Sequence, residues 1–311
     1  MQQSTVYCSI YTLEELCGVC SHTDTRNVLI LPHFLPYIVS STTVRIDPHV
    51  HSDGSYDGHE PVELILEHAA DIGLDAVVIT DHDVIDESIR AVKLADDYGL
   101  IGIPGVEVST QRGHLLAIGV DEMPPHRAPF DETVAWIRDH GGVAIVPHPF
   151  QRTRHGVRKK YIDDCDAVEV FNAWLFTGYK NRRARRFAQQ HGYPQIAASD
   201  AHKLEYVGRA FTEIEIETDP EKASKDELTA EDVLAAVRDG STSVNGRRAP
   251  IPMAGKHYAI AAARKSGYYT KVGALKAGST AKIAAIKSGY LAKSGLARTI
   301  RGLSSLFSIP K

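Results

Sequence analysis

Cysteine is scarce. Cys8, Cys17, Cys20 and Cys165 are the only four in 311 residues, too few for a disulfide-built scaffold. Long apolar runs are missing as well. A bilayer-spanning helix needs roughly 18–20 consecutive apolar residues, and the longest candidate, Val28–Val39, is broken by Pro32, His33 and Pro36. That excludes a protein built on membrane-spanning helices, and a reducing cytoplasm is the expected setting. Acidic residues are absent from Arg247 to Lys311, a stretch that carries thirteen Lys/Arg. The rest of the chain then holds 22 basic and 39 acidic side chains, a net of −17. An acidic body joined to a wholly basic tail implies separate tasks. The tail suits an anionic partner, either nucleic acid or an acidic membrane surface, or else the body itself.

What is present is enough for a sizeable core, with 43% hydrophobic residues in a length that fits one large domain or two ordinary ones. Three segments differ in character. Residues 1–43 hold three of the cysteines and show neither periodicity nor a secretory pattern. Cys17-Gly-Val-Cys20-Ser-His22, with Cys8, invites a zinc reading, but a second CxxC or an HxxxH at finger spacing is missing. The segment therefore reads as a poorly ordered extension. Residues 247–311 are rich in Ala, Gly and Lys. Leu296, Ile300, Leu303 and Phe307 make an apolar stripe with Arg298 and Arg301 on another face, the pattern of a basic amphipathic helix. A helix packed on the acidic body, or a flexible tail, is the plainer alternative.

Residues 44–246 alternate between strand and helix patterns. Short apolar or β-branched runs fall at Val44–Ile46, Ala76–Thr80, Leu100–Ile103, Leu115–Val120, Val143–Val146, Ala167–Val170, Ile196–Ala198 and Phe211–Ile216. Between them, Val62, Ile65, Leu66, Ala69 and Ile72 repeat at helical spacing. Asp86 and Asp131 are placed to cap two further helices, and Lys180–Gln190 and Glu231–Arg238 read as two more. Such alternation favours an α/β barrel or a doubly wound sheet.

The polar clusters fall at the ends of these runs. His49 and His51 follow the first, and Asp57 lies in the next loop. Asp81-His82 follows Ala76–Thr80, Glu107 follows Leu100–Ile103, and His114 opens the next run. His148 follows Val143–Val146, and Asp200 and His202 follow Ile196–Ala198. In an α/β barrel the C-terminal strand ends converge on one rim, where active sites form. Histidines two apart on an extended segment share a side, so His49 and His51 can hold one ion. Six histidines and three carboxylates exceed the needs of a single four-coordinate ion. A carboxylate such as Glu107 can bridge two ions, which together activate water and clamp a phosphate.

Asp47-Pro48-His49-Val50-His51-Ser52, Ser55-Tyr56-Asp57-Gly58 and Thr80-Asp81-His82-Asp83 together resemble the opening of the polymerase and histidinol phosphatase (PHP) family. The likeness continues through Gly105-Val106-Glu107-Val108-Ser109, Gly113-His114, Pro147-His148-Pro149 and Ser199-Asp200-Ala201-His202, and it covers residues 44 to about 246. The resemblance implies a distorted (β/α)7 TIM-like barrel, here followed by a basic helical C-terminal tail. It implies two or three divalent metal ions, with manganese foremost and zinc, iron or magnesium as alternatives, and hydrolysis of a phosphoester. Carried over by position, His49, His51 and Asp200 would bind a first ion, and Glu107 would bridge it to a second held by His114 and His148. Asp57, His82 and His202 would bind a third. Asp81 would orient a ligand or help move a proton.

The expected reaction is direct attack on phosphorus by a metal-bridging hydroxide, with a phosphorylated small molecule or nucleotide as substrate. A nuclease of the same fold guided by the tail, a non-catalytic metal-binding module and an amidohydrolase are the competing readings. Arg152 and Arg154, just beyond His148, are placed to fork onto a phosphate. The alternative for both is a solvated loop. His155 is a second candidate proton donor, more readily read as structural, and Trp174 and Phe176 read chiefly as packing residues.

Overall fold

The computed structural model describes residues 40–151, 155–162, 164–175, 177–218, 227–250 and 252. Residues 1–39, most of the basic tail, and the candidates Arg152, Arg154 and Phe176 lie outside the described residues.

β1 (Ser40–Val50) begins one-faced, with Val44 buried between exposed Thr43 and Arg45, and from Ile46 onward every residue is buried. The strand thus dives into the centre and delivers His49 there. α1 (Val62–Asp71) buries Val62, Ile65, Leu66 and Ala69 of the expected stripe, whereas Ile72 falls just past the helix and is exposed, and the chain returns to β2 (Ala76–Ile79), parallel to β1. α2 (Asp86–Ala95) follows, with Asp86 in its first turn rather than capping it.

β3 (Gly105–Thr110) and β4 (Gly113–Ile118) form an antiparallel hairpin around Gln111 and Arg112. α3 (Phe130–Asp139) leads into β5 (Val143–Val146), which pairs antiparallel with β4 and parallel with β6 (Ala167–Asn172). α4 (Tyr179–His191) connects β6 to the parallel β7 (Gln195–Ala198). β8 (Ala210–Thr218) runs antiparallel to β1 along seven paired positions. α5 (Ala230–Asp239) starts at a reciprocal cap between Thr229 and Asp232, and β9 (Thr242–Gly246) pairs antiparallel with β8.

These strands make two sheets, ordered β2-β1-β8-β9 and β3-β4-β5-β6-β7. The fold is mixed α/β, and it corrects the expected (β/α)7 barrel, because no continuous ladder closes. Where a barrel would pass from β2 to β3 and from β7 to β1, only single bridges occur, His82–Glu107 and Val50–Ala201. Strand direction gives the physical reason. A two-residue turn can join only antiparallel neighbours, so the β3–β4 hairpin interrupts the all-parallel order a β/α barrel needs. The run Leu100–Ile103 is also not a strand. Gly102 and Pro104 flank Ile103, proline cannot donate to a ladder, and pairing starts only at Gly105. Val44, Ile46 and Ile214 of one sheet share an apolar cluster with Ile118, Ile145 and Ile196 of the other.

Candidate metal centre

Both bridges sit at the same place, and so do the polar residues. Asp47 secures the frame: its buried carboxylate accepts the backbone N–H groups of Ser199 (3.0 Å) and Gly208 (2.9 Å), tying β1 to the loops after β7 and before β8. Burial pushes its pKa up to about 6, against the pull of those hydrogen bonds. Several non-glycine residues in this region take left-handed backbone, among them Asp83 (φ 55°), His148 (φ 30°) and Asp200 (φ 55°). Each such residue costs roughly 1–3 kcal/mol; at His148 and Asp200 the side chain is thereby carried into the cluster, while Asp83 accepts from the backbone and hydroxyl of Ser109.

Glu107, from the middle of β3, is buried at the centre of the cluster. Its Oε1 lies 2.7 Å from His114 Nδ1 and 2.9 Å from His148 Nε2. Its Oε2 lies 2.9 Å from His82 Nδ1 and 3.4 Å from both His49 Nε2 and His51 Nε2. One carboxylate therefore faces five histidines, split between its two oxygens. On one side, Asp200 Oδ1 lies 3.6 Å from His49 Nε2 and 3.5 Å from His51 Nε2. On the outer side, Asp57 Oδ2 lies 3.4 Å from His82 Nε2 and 3.2 Å from His202 Nε2.

All nine residues named from the sequence as ligands fall in sets whose donor atoms lie within 4.8 Å of one another. Those sets are His51, Asp57, His82 and His202; His49, His51 and Glu107; His49, His148 and Asp200; and His82, Glu107 and His114. They overlap, so the partition into three separate sites is blurred: His51 also belongs with the outer group, and His148 also sits with His49 and Asp200.

The donor set fits divalent ions. His51 is fully buried, yet neither of its ring nitrogens makes a hydrogen bond, and His148 Nδ1 is likewise unsatisfied. A buried polar atom without a partner costs roughly 1–3 kcal/mol, so a second partner is called for. Separations of 3.2–3.6 Å between imidazole nitrogens and carboxylates are long for hydrogen bonds. They match the spacing of two ligands on one ion, about 3.4 Å for bonds of about 2.1 Å in tetrahedral geometry.

The electrostatics agree. Burial alone would raise Glu107, but His82, His114 and His49 around it hold it well below the carboxylate range. Asp200 is depressed likewise, burial being outweighed first by His49, and Asp57 by hydrogen bonds from His202 and His82. Burial works against charge on His49, His82, His148 and His202, yet the carboxylates outweigh it and raise all four. His51 goes the other way, down to about 3, through burial and the neighbouring His202.

One supporting residue, Glu169, escapes the sequence reading, and others foreseen there take their places around the cluster. Glu169, buried in β6, accepts from His49 Nδ1 at 3.1 Å and from the backbone N–H of His148. A carboxylate behind an imidazole fixes its tautomer and leaves the other nitrogen free to coordinate. Glu169 had a visible signal, an acidic residue inside the apolar strand Ala167–Val170. Asn172 donates to Glu169 Oε2 and to Asp200 Oδ2, both at 3.0 Å. Asp81 is placed apart from the ligand atoms: Ser52 donates to it from backbone and hydroxyl, and burial raises it to about 6. His155 packs its ring 4.5 Å from that of His114, and burial together with His114 lowers it to about 4. Trp174 packs edge-on against Tyr206 in the core.

Residues 178–242, from α4 to β9, match the PHP-associated family. An uncharacterized protein of Methanocaldococcus jannaschii is 33% identical over 129 residues, which span 41% of this chain and 75% of that one. The chain belongs to the PHP family. A PHP relative, the phosphoribosyl 1,2-cyclic phosphate 1,2-diphosphodiesterase of Eggerthella lenta, is 38% identical over 85 residues, 25% of this chain and 32% of its own. In fold, the chain is similar to a two-domain Bacteroides vulgatus protein containing a predicted PHP-like metal-dependent phosphoesterase. The TM-score is 0.54 at 19% identity, over 67% of this chain and 66% of the other. A PHP chain with this His/carboxylate cluster is suited to divalent metals and phosphoester chemistry.

Proposed function

We propose that this PHP protein is a phosphoesterase that hydrolyses a phosphomonoester, a nucleotide or another small phosphorylated metabolite, with two or three divalent ions held in the cluster. One observation carries the reading: the two oxygens of the buried Glu107 face different histidines, Oε1 His114 and His148, Oε2 His82, His49 and His51, which suits a carboxylate shared between ions. His49, His51 and Asp200 would hold one ion, His114 and His148 a second, and Asp57, His82 and His202 a third, with manganese the preferred metal. The ions, when bound, lower the pKa of a coordinated water and offset charge on phosphoryl oxygens.

The chain's own groups prepare that chemistry. Glu169 holds His49 with its Nε2 toward the cluster, and Asn172 holds Asp200. Asp81, bound to Ser52, positions the loop that carries Asp57. Arg152 and Arg154 are proposed to take the phosphate oxygens, which makes them specific for phosphorylated substrates.

A second reading, phosphodiester hydrolysis, is favoured by the diphosphodiesterase relative from Eggerthella lenta. One experiment separates the two. With manganese, phosphate release is measured on nucleoside mono- and bisphosphates and sugar phosphates, and diester cleavage on bis(p-nitrophenyl) phosphate by nitrophenol release and on short 5′-phosphorylated RNA by chain shortening on a gel, with Asp200→Ala beside each. Turnover of small monoesters, lost in Asp200→Ala, supports the first reading. Turnover confined to RNA or to diesters selects the second, and activity unchanged in Asp200→Ala overturns both.

A further inference from the structure

Beyond the metal centre, α4 carries an unusual face. It buries Asn181, Ala184, Phe187 and Ala188 and exposes Arg182, Arg183, Arg185 and Arg186. From Tyr179 to His191 it has five Lys/Arg and no acidic residue, in a body that is otherwise strongly acidic. Arg182, Arg183 and Arg186 line an open cleft of about 420 Å³ with Lys159, Phe150 and Phe187, and Tyr179 stands at its edge, 62% exposed.

How these cations are held matters. The Arg183 guanidinium lies 4.4 Å from the centre of the Phe150 ring, and Lys159 Nζ lies 5.7 Å from that of Phe187. An aromatic face orients a cation without neutralising it. Among the described residues no ion pair joins Arg182, Arg183, Arg186 or Lys159 to a carboxylate. Four positive charges thus line one cleft, none of them in an ion pair with a described carboxylate. Arg182 to Gln190 spans about 12 Å along the helix, room for two successive phosphates.

The cleft is also joined to the metal centre. Phe150 follows His148 by two residues. Asn181 of α4 takes the Asn172 backbone N–H at 3.3 Å and donates to the Asn172 carbonyl at 3.0 Å, and the Asn172 side chain holds Asp200.

We propose that this cleft is a binding site for single-stranded nucleic acid, whose phosphates lie along Arg182, Arg183, Arg186 and Lys159 while a base stacks on Tyr179. A positive groove with an exposed aromatic face is the arrangement that holds single strands without reading sequence. The site deepens the phosphoesterase reading and rests on it only for what happens to the strand's end at the metals.

The test is binding to the full chain, read by fluorescence anisotropy with a labelled oligothymidylate of ten nucleotides. Arg182→Gln/Arg183→Gln/Arg186→Gln should weaken binding at least ten-fold and lower the slope of log affinity against log salt by about 2. Tyr179→Ala should weaken it several-fold with the salt slope unchanged. Asp200→Ala should still bind, so this result stands apart from turnover, which p-nitrophenyl phosphate reports separately. The proposal is overturned if the triple variant binds like the parent chain. It is also overturned if only replacement of the tail cations Lys287, Lys293, Arg298 and Arg301 by Gln abolishes binding. Competition by pyrophosphate as strong as by the oligonucleotide would overturn it too, by making the cleft a small-anion site.

Discussion

Glu107 is the residue on which the centre turns, since both of its oxygens are engaged by histidines from different elements. Glu107→Gln keeps the shape and removes the charge. It should lower manganese-dependent turnover at least 100-fold and cut metal content, measured by elemental analysis, while circular dichroism stays native. Glu169→Gln acts one step further out and should weaken metal affinity by roughly 10- to 100-fold, as read by calorimetry. The sign of the pH dependence follows from the histidines. In the metal-free protein, His49, His82, His148 and His202 are raised, so they keep protons that a metal must displace. Affinity should therefore rise as the pH climbs above the ordinary imidazole range, with protons released on binding. Calorimetry in buffers of different ionisation enthalpy measures that release. Arg154→Ala, by contrast, should raise KM for phosphorylated substrates with little change in kcat.

At the scale of elements, the clustering of the candidate ligands was legible because they occupy short motifs at the ends of apolar runs, where even a poor estimate of strand boundaries puts them on one rim. Glu169 stood out as an acidic residue inside an apolar strand, but its role did not, because its partner His49 is 120 residues away. Strand direction was equally hidden: the apolar run Leu100–Ile103 set the third strand too early, and only the turn between β3 and β4 makes them antiparallel. β9 escaped notice because Thr242–Gly246 is half-exposed at a sheet edge and lacks an apolar run. One loop is under tight steric control. A Cβ on Gly58 would come within 1.8 Å of the Ser52 carbonyl oxygen, so Gly58→Ala must shift the loop that carries Asp57. Loss of one metal equivalent, with the rest retained, is the expected result in elemental analysis.

Over the whole molecule, the two sheets meet at a centre dense in buried carboxylates and unsatisfied imidazoles, an arrangement that asks for cations. Metal binding should stabilise the fold by mass action, about 2.7 kcal/mol at a free metal concentration 100 times Kd. The melting temperature should therefore rise with manganese and fall with a chelator, as followed by calorimetry. Among the described residues no helix is long and apolar enough to cross a membrane, in line with the broken apolar runs of the sequence. The most direct test of the account is the manganese dependence of p-nitrophenyl phosphate hydrolysis by the full chain and by Glu107→Gln, with and without chelator. The account predicts turnover that requires manganese, stops with chelator and falls at least 100-fold in the variant. Hydrolysis that persists in chelator, or that Glu107→Gln leaves intact, would contradict it.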